Sequence, residues 1–119
     1  MAGHRNDRTT EDIMRELTAI LRTVKDPRVS GTMLSIVRTE VTNDLSYATV
    51  YVSSMEGMEA AKNAVKGLRS AAGYMRRELG AALKLRHVPE LRFVADDSIA
   101  YSAKLSEAFR SLHKDDKEG

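Results

Sequence analysis

The chain has 119 residues, no cysteine, a net charge of +2 and an apolar fraction of 42%. That length suits one domain with a single modest core, and the missing thiols exclude disulfide staples and thiolate metal sites. No apolar run approaches the ~20 residues of a membrane span, and the start, MAGHRNDRTTED, lacks the apolar stretch of a secretory signal, so a cytoplasmic protein is expected.

Residues 1–8 read as a flexible N-terminus. The spacing of Ile13, Met14, Leu17, Ile20, Leu21 and Val24 predicts an amphipathic helix from Thr10 to Lys25, capped by Thr9 or Thr10. KDPRVSG ends it, because Pro27 disfavours the α region at Asp26. TMLSIVRTEV is rich in β-branched residues and predicts a strand whose first half is buried on both faces. TNDLS is a turn. In YATVYVS, Ala48, Val50 and Val52 alternate with Tyr47, Thr49 and Tyr51, so the two strands form a hairpin.

A long helix is expected from Glu59 to Leu83. Ala61, Ala64, Val65, Leu68, Ala72, Met75, Leu79, Ala82 and Leu83 keep one phase along it at 100° per residue. Lys62, Lys66, Arg69, Arg76, Arg77 and Lys84 gather on another face, which also holds Gly73 and Gly80, while Gly67 lies on neither face and suits close packing. Pro89 marks a break, and ELRFV predicts a short strand with Leu91 and Phe93 on one side. Asp96, Asp97 and Ser98 supply helix-start chemistry. Tyr101, Leu105, Ala108, Phe109 and Leu112 form the apolar stripe of a last helix, and residues 113–119 read as a disordered charged tail. The order α-β-β-α-β-α predicts an α+β fold, a three-stranded sheet with helices packed on one face; its strand order does not follow from the pattern.

Charge is distributed unevenly. Residues 62–92 hold eight Lys/Arg against two Asp/Glu, and Arg86, His87 and Arg92 extend the positive stretch beyond the helix. A polyanionic partner fits this concentration, and so does a merely solvated face. A glycine on that face holds no side chain between ligand and backbone, so a phosphate could approach closely beside Arg69, Arg76 and Arg77. Arg76 and Arg77 lie off the apolar stripe and are expected to be dispensable for folding. Tyr74 is expected to be partly buried beside the sheet, and few aromatics remain for base stacking. His4, His87 and His113 are scattered, no catalytic or nucleotide fingerprint is present, and Asp96 and Asp97 serve helix capping better than acid–base chemistry. Neither an enzyme nor a cofactor or metal is expected.

Four segments, DPRVSG, NDLSYATVYVS, AAGYMRREL and LKLRHVPELRFVADDS, stand in this order and spacing. Together they make the chain closely resemble the ribosome-binding factor A family. The resemblance implies a KH-type (type II) RNA-binding domain over residues 9–112, with a helix-kink-helix at Ala71-Ala72-Gly73 in place of the GxxG loop of ordinary KH domains. It implies a non-enzymatic, monomeric assembly factor that binds the free 30S subunit and assists late maturation of 16S rRNA, including its 5′-terminal region, with a role in cold adaptation. No small-molecule substrate or membrane is involved, and functions that other members place in longer C-terminal extensions are not expected. Arg69, Arg76, Arg77, Lys84, Arg86 and Arg92 would contact phosphates, Lys62 and Lys66 would extend the surface, and Gly73 would admit the backbone. If Gly73 shapes the kink, Gly73→Ala is expected to cost stability. Two alternatives stay open: a DNA-binding module using the same helix, and a protein-interaction domain docking through Glu11, Asp12 and Glu16.

Overall fold

The computed structural model describes residues 2–118, and the side chains within residues 9–112. Helix α1 spans Ala2–Leu21 and α2 Pro27–Ser30; strands β1 (Leu34–Val41) and β2 (Tyr47–Ser54) follow, then helices α3 (Met58–Ser70) and α4 (Ala72–Leu83), strand β3 (Glu90–Asp96) and helix α5 (Ser98–Glu118). Helix α1 therefore begins before Thr10 and ends before Lys25. The expected flexible 1–8 and disordered 113–119 concern stretches whose side chains lie outside the described residues, as do the side chains of His4 and His113.

The sheet has the order β1-β2-β3, with β1 and β2 antiparallel and β2 and β3 parallel. A parallel return needs a long crossover, and α3 with α4 supplies it. Ala48, Val50 and Val52 of the central strand meet Leu91 and Phe93 of β3 on one face of the sheet, where Ile13, Leu17, Leu68, Met75 and Leu79 complete the core. Helices α1, α3 and α4 thus cover a single face, as the α+β expectation required.

The bulge between Ile36 and Arg38 corrects the reading of β1. Ile36 pairs with Val52 and Arg38 with Tyr51, so Val37 is an extra residue, half-buried, and the alternation resumes one position later. The apolar run is thereby spent on a bulge and one inward face, not on two buried faces. The other face of the sheet carries Arg38, Tyr51, Tyr47 and Arg92, arranged as two stacks: the Arg38 guanidinium is 4.2 Å from the Tyr51 ring centre and that of Arg92 is 4.0 Å from Tyr47.

KDPRVSG does more than stop a helix. Asp26 caps the single turn of α2, accepting from the Arg28 backbone N–H at 2.9 Å, while Arg28 Nε and Nη2 donate to its two oxygens at 3.0 and 2.7 Å. The arginine side chain, aided by its backbone N–H, holds the Asp26 carboxyl down at about 2. Helix α2 then packs on α3 at Gly67, where a Cβ would come within 2.9 Å of Val29 Cγ2. Helix α5 is tethered at its start by Ile99 N–H donating to Ser53 Oγ at 3.1 Å. Beyond that turn its apolar stripe stays exposed: Tyr101, Leu105, Phe109 and Leu112 are 60, 52, 62 and 64% accessible.

Candidate nucleic-acid interface

The long predicted helix is two helices, broken at Ala71. That residue alone leaves helical geometry, at φ −93° and ψ 3°, and it serves as both the end of α3 and the start of α4. Its N–H still donates to Gly67 and Leu68 carbonyls at 3.1 Å, and its carbonyl accepts from Met75 N–H at 2.9 Å. The ladder therefore bends without losing phase, which keeps Leu68, Met75 and Leu79 all in the core. No side chain caps the start of α4; the turn of α3 before it continues the ladder through Ala71. Gly73 lies in that turn, exposed, and a Cβ built on it meets nothing within 4 Å.

Around the break, Lys66 and Arg69 on α3 and Arg77 on α4 are exposed, as are Lys84 and Arg86 beyond. Among the described residues none of these five is in an ion pair; Lys62, further along α3, sits 3.8 Å from Glu59. Lys84 ends α4 in the left-handed conformation, at φ 52°. Ala71 and Ala72 are half-buried, and their packing fixes the break against the core.

Three expected members of the face are placed otherwise. Arg76 is claimed by the fold: its Nε donates to the Pro89 carbonyl at 3.1 Å and its Nη2 to that of Val88 at 2.9 Å, tying α4 to the segment before β3. It was expected to be dispensable for folding, because helical phase says nothing of a loop returning from outside the helix. Arg92 lies on the sheet face opposite the helices, over Tyr47. Its neighbours Leu91 and Phe93 point into the core, so strand alternation already carried that signal. Gly80 is no opening either, since a Cβ there would be 2.7 Å from Val88 Cγ2. Tyr74 stands against the end of α1, not the sheet, with its hydroxyl 2.6 Å from Thr23 Oγ1.

The described residues contain no group of His, Asp or Glu that could hold a metal ion. No helix among them is long and apolar enough to cross a membrane. The arrangement can hold polyanion backbone: exposed cations on two helices lie on either side of a helix break with an open glycine.

A family model for ribosome-binding factor A matches residues 5–109. A relative of that name from Caldanaerobacter subterraneus is 45% identical over 112 residues, covering 93% of this chain and 91% of its own. The chain belongs to the ribosome-binding factor A family. Its fold agrees with solved members: the Thermus thermophilus ribosome-binding factor A crystal structure superposes with a TM-score of 0.67 at 22% identity, covering 76% of this chain and 93% of that one. A second likeness, with a TM-score of 0.61 at 23% identity over 72% of this chain and 89% of the other, is to the Thermus thermophilus factor as fitted into the map of a 30S complex. The KH-type architecture is thus established for this member, with the break at Ala71 where the family kink was expected.

Proposed function

We propose that this protein is a ribosome assembly factor that binds the free 30S subunit through the α3–α4 face, gripping folded 16S rRNA by its backbone. The observation that carries the reading is the set of exposed cations, Lys66, Arg69 and Arg77 on either side of the break with its open Gly73, and Lys84 and Arg86 at the far end of α4. Membership of the family supports it, as does the 30S complex of the Thermus thermophilus relative. Lys62 extends the surface at its Glu59 end, and Ala71 and Ala72 hold the break open. Arg76 ties α4 to the segment before β3, and Arg92 belongs to a separate surface across the sheet.

The reading places the protein in the cytoplasm as a monomer, over residues 9–112 as the RNA-binding unit, without catalytic chemistry or cofactor. It assists late maturation of 16S rRNA, including the 5′-terminal region, and matters most in the cold, where misfolded RNA helices escape slowly. Sedimentation of cell extract tests it. The protein should travel with free small subunits, not with 70S particles, and leave them as salt rises with a log-linear loss of affinity. Co-sedimentation that ignores salt would favour docking through Glu11, Asp12 and Glu16, and preference for duplex DNA over RNA would favour the DNA-binding alternative.

A further inference from the structure

Behind the helix break lies a cleft of about 510 Å³ walled by the segment Thr23–Asp26 between α1 and α2 and by the α3–α4 junction. That volume falls in the range of small-ligand sites. Val24, Ala71 and the Tyr74 ring give it apolar walls, and Thr23, Lys25 and Ser70 add polar groups. The cleft shares Ala71 with the proposed RNA-binding face, so a strand lying on that face passes its mouth.

The hydrogen bonds around the cleft decide what it accepts. Thr23 Oγ1 donates its single proton to the Ile20 carbonyl at 2.7 Å, so in the 2.6 Å contact with Tyr74 the tyrosine must be the donor. Ser70 Oγ donates its proton to the Lys66 carbonyl at 3.3 Å. Each hydroxyl proton is therefore engaged, and what Tyr74 and Ser70 still offer is oxygen lone pairs. Asp26, also in the lining, has both carboxylate oxygens engaged by Arg28. Among the described residues, Lys25 provides the one side-chain donor of the lining, at its exposed rim. A site of acceptors with one cation at its edge suits a flat group that donates hydrogen bonds and trails a phosphate.

We infer that this cleft receives an unpaired RNA base bearing an exocyclic amino group, such as adenine or cytosine, with Lys25 meeting the adjoining phosphate. The amino group donates to the Tyr74 and Ser70 oxygens. Uracil carries a carbonyl oxygen where the amino group would stand and has only its ring N3–H to donate, so it can match at most one of the two acceptors. The inference rests on the RNA-binding reading above and adds a base preference to a face that otherwise reads only backbone.

The test titrates labelled single-stranded oligo(A), oligo(C) and oligo(U) of equal length against the full chain at several salt concentrations. Oligo(A) and oligo(C) should bind about three- to tenfold more tightly than oligo(U), the worth of one or two hydrogen bonds. Ser70→Trp, at an exposed helix end, fills the cleft and should erase that preference, shallowing the salt slope by no more than about the one unit of the Lys25 contact. Tyr74→Phe keeps the ring, removes one acceptor and should reduce the preference. Equal affinity for the three oligonucleotides, or a preference that survives Ser70→Trp in a folded protein, overturns the inference. So does loss of 30S binding by Ser70→Trp with no loss of oligonucleotide binding, which would give the cleft to a protein amine. Salt-independent binding to every RNA and to the 30S subunit would instead overturn the RNA-binding reading itself.

Discussion

Gly73→Ala asks whether the helix break needs a glycine. The residue outside helical geometry is Ala71, whose φ of −93° is open to any L-amino acid, and among the described glycines positive φ occurs at Gly57 alone. A Cβ on Gly73 enters open space, with no atom within 4 Å. The alanine variant therefore adds no native-state strain and removes backbone freedom from the unfolded chain, so it should stabilise by about 0.4–1 kcal/mol. This reverses the cost expected from the family kink alone. In urea the midpoint should rise with an unchanged slope, and the melting temperature should rise by roughly 2–6 °C. A loss of 1 kcal/mol or more would show that the break depends on Gly73 and would refute the reasoning. Binding separates backbone approach from simple charge: Gly73→Lys adds a cation but fills the open space over the main chain at Gly73, so 30S affinity should fall. Tighter binding by that variant would make the surface an electrostatic stripe and nothing more.

Gly67→Ala should destabilise by about 1–3 kcal/mol, because its methyl would lie 2.9 Å from Val29 Cγ2 and 3.1 Å from the Asp26 carboxyl carbon; a neutral result in chemical denaturation would mean that α2 shifts freely. Arg76→Ala should lower stability by about 1–2 kcal/mol through loss of its two carbonyl contacts, whereas Arg77→Ala should leave stability alone and shallow the salt slope of 30S binding by about one unit. Equal effects of the two variants on either measurement would contradict their separate roles. The Asp26 carboxyl is held at about 2, below its ordinary 3.8; a depressed carboxylate stabilises the fold above the ordinary value and loses that contribution as pH falls through the folded one. Stability should therefore decline between pH 5 and 2, and Asp26→Asn should flatten part of that decline; an unchanged acid limb would remove Asp26 from the account.

Elements whose periodicity matched one burial pattern were legible in the sequence. The phase from Ala61 to Leu79 located the core face of α3 and α4, though Ala82 of the same stripe is exposed, and the alternation in YATVYVS gave β2, because a helix stripe and a strand face recur at different spacings. The break at Ala71 left no such trace. Its N–H and carbonyl keep their helical partners, so one residue can leave helical dihedrals while every apolar side chain keeps its place. Only resemblance to relatives pointed there. The bulge at Val37 hid for the opposite reason: its extra apolar residue looked like a second buried face.

The glycines and arginines show where reading along the chain stops. Gly67, Gly73 and Gly80 are indistinguishable by helix propensity, yet the first is pressed on Val29, the third on Val88, and the second faces nothing. Val29 and Val88 arrive from other elements, so no pattern within the helix could sort the three. Adjacent Arg76 and Arg77 divide in the same way: both are exposed, but the guanidinium of the first is captured by the carbonyls before β3. Both belong to the same concentration of charge. Tertiary neighbours then withdraw some of its members for structure; of the exposed cations they leave unpaired, Lys66, Arg69 and Arg77 stand on either side of the helix break and Lys84 and Arg86 beyond α4. A binding face of this kind is set by what packing does not claim, so its extent follows from the loops that return to the helix as much as from the helix itself.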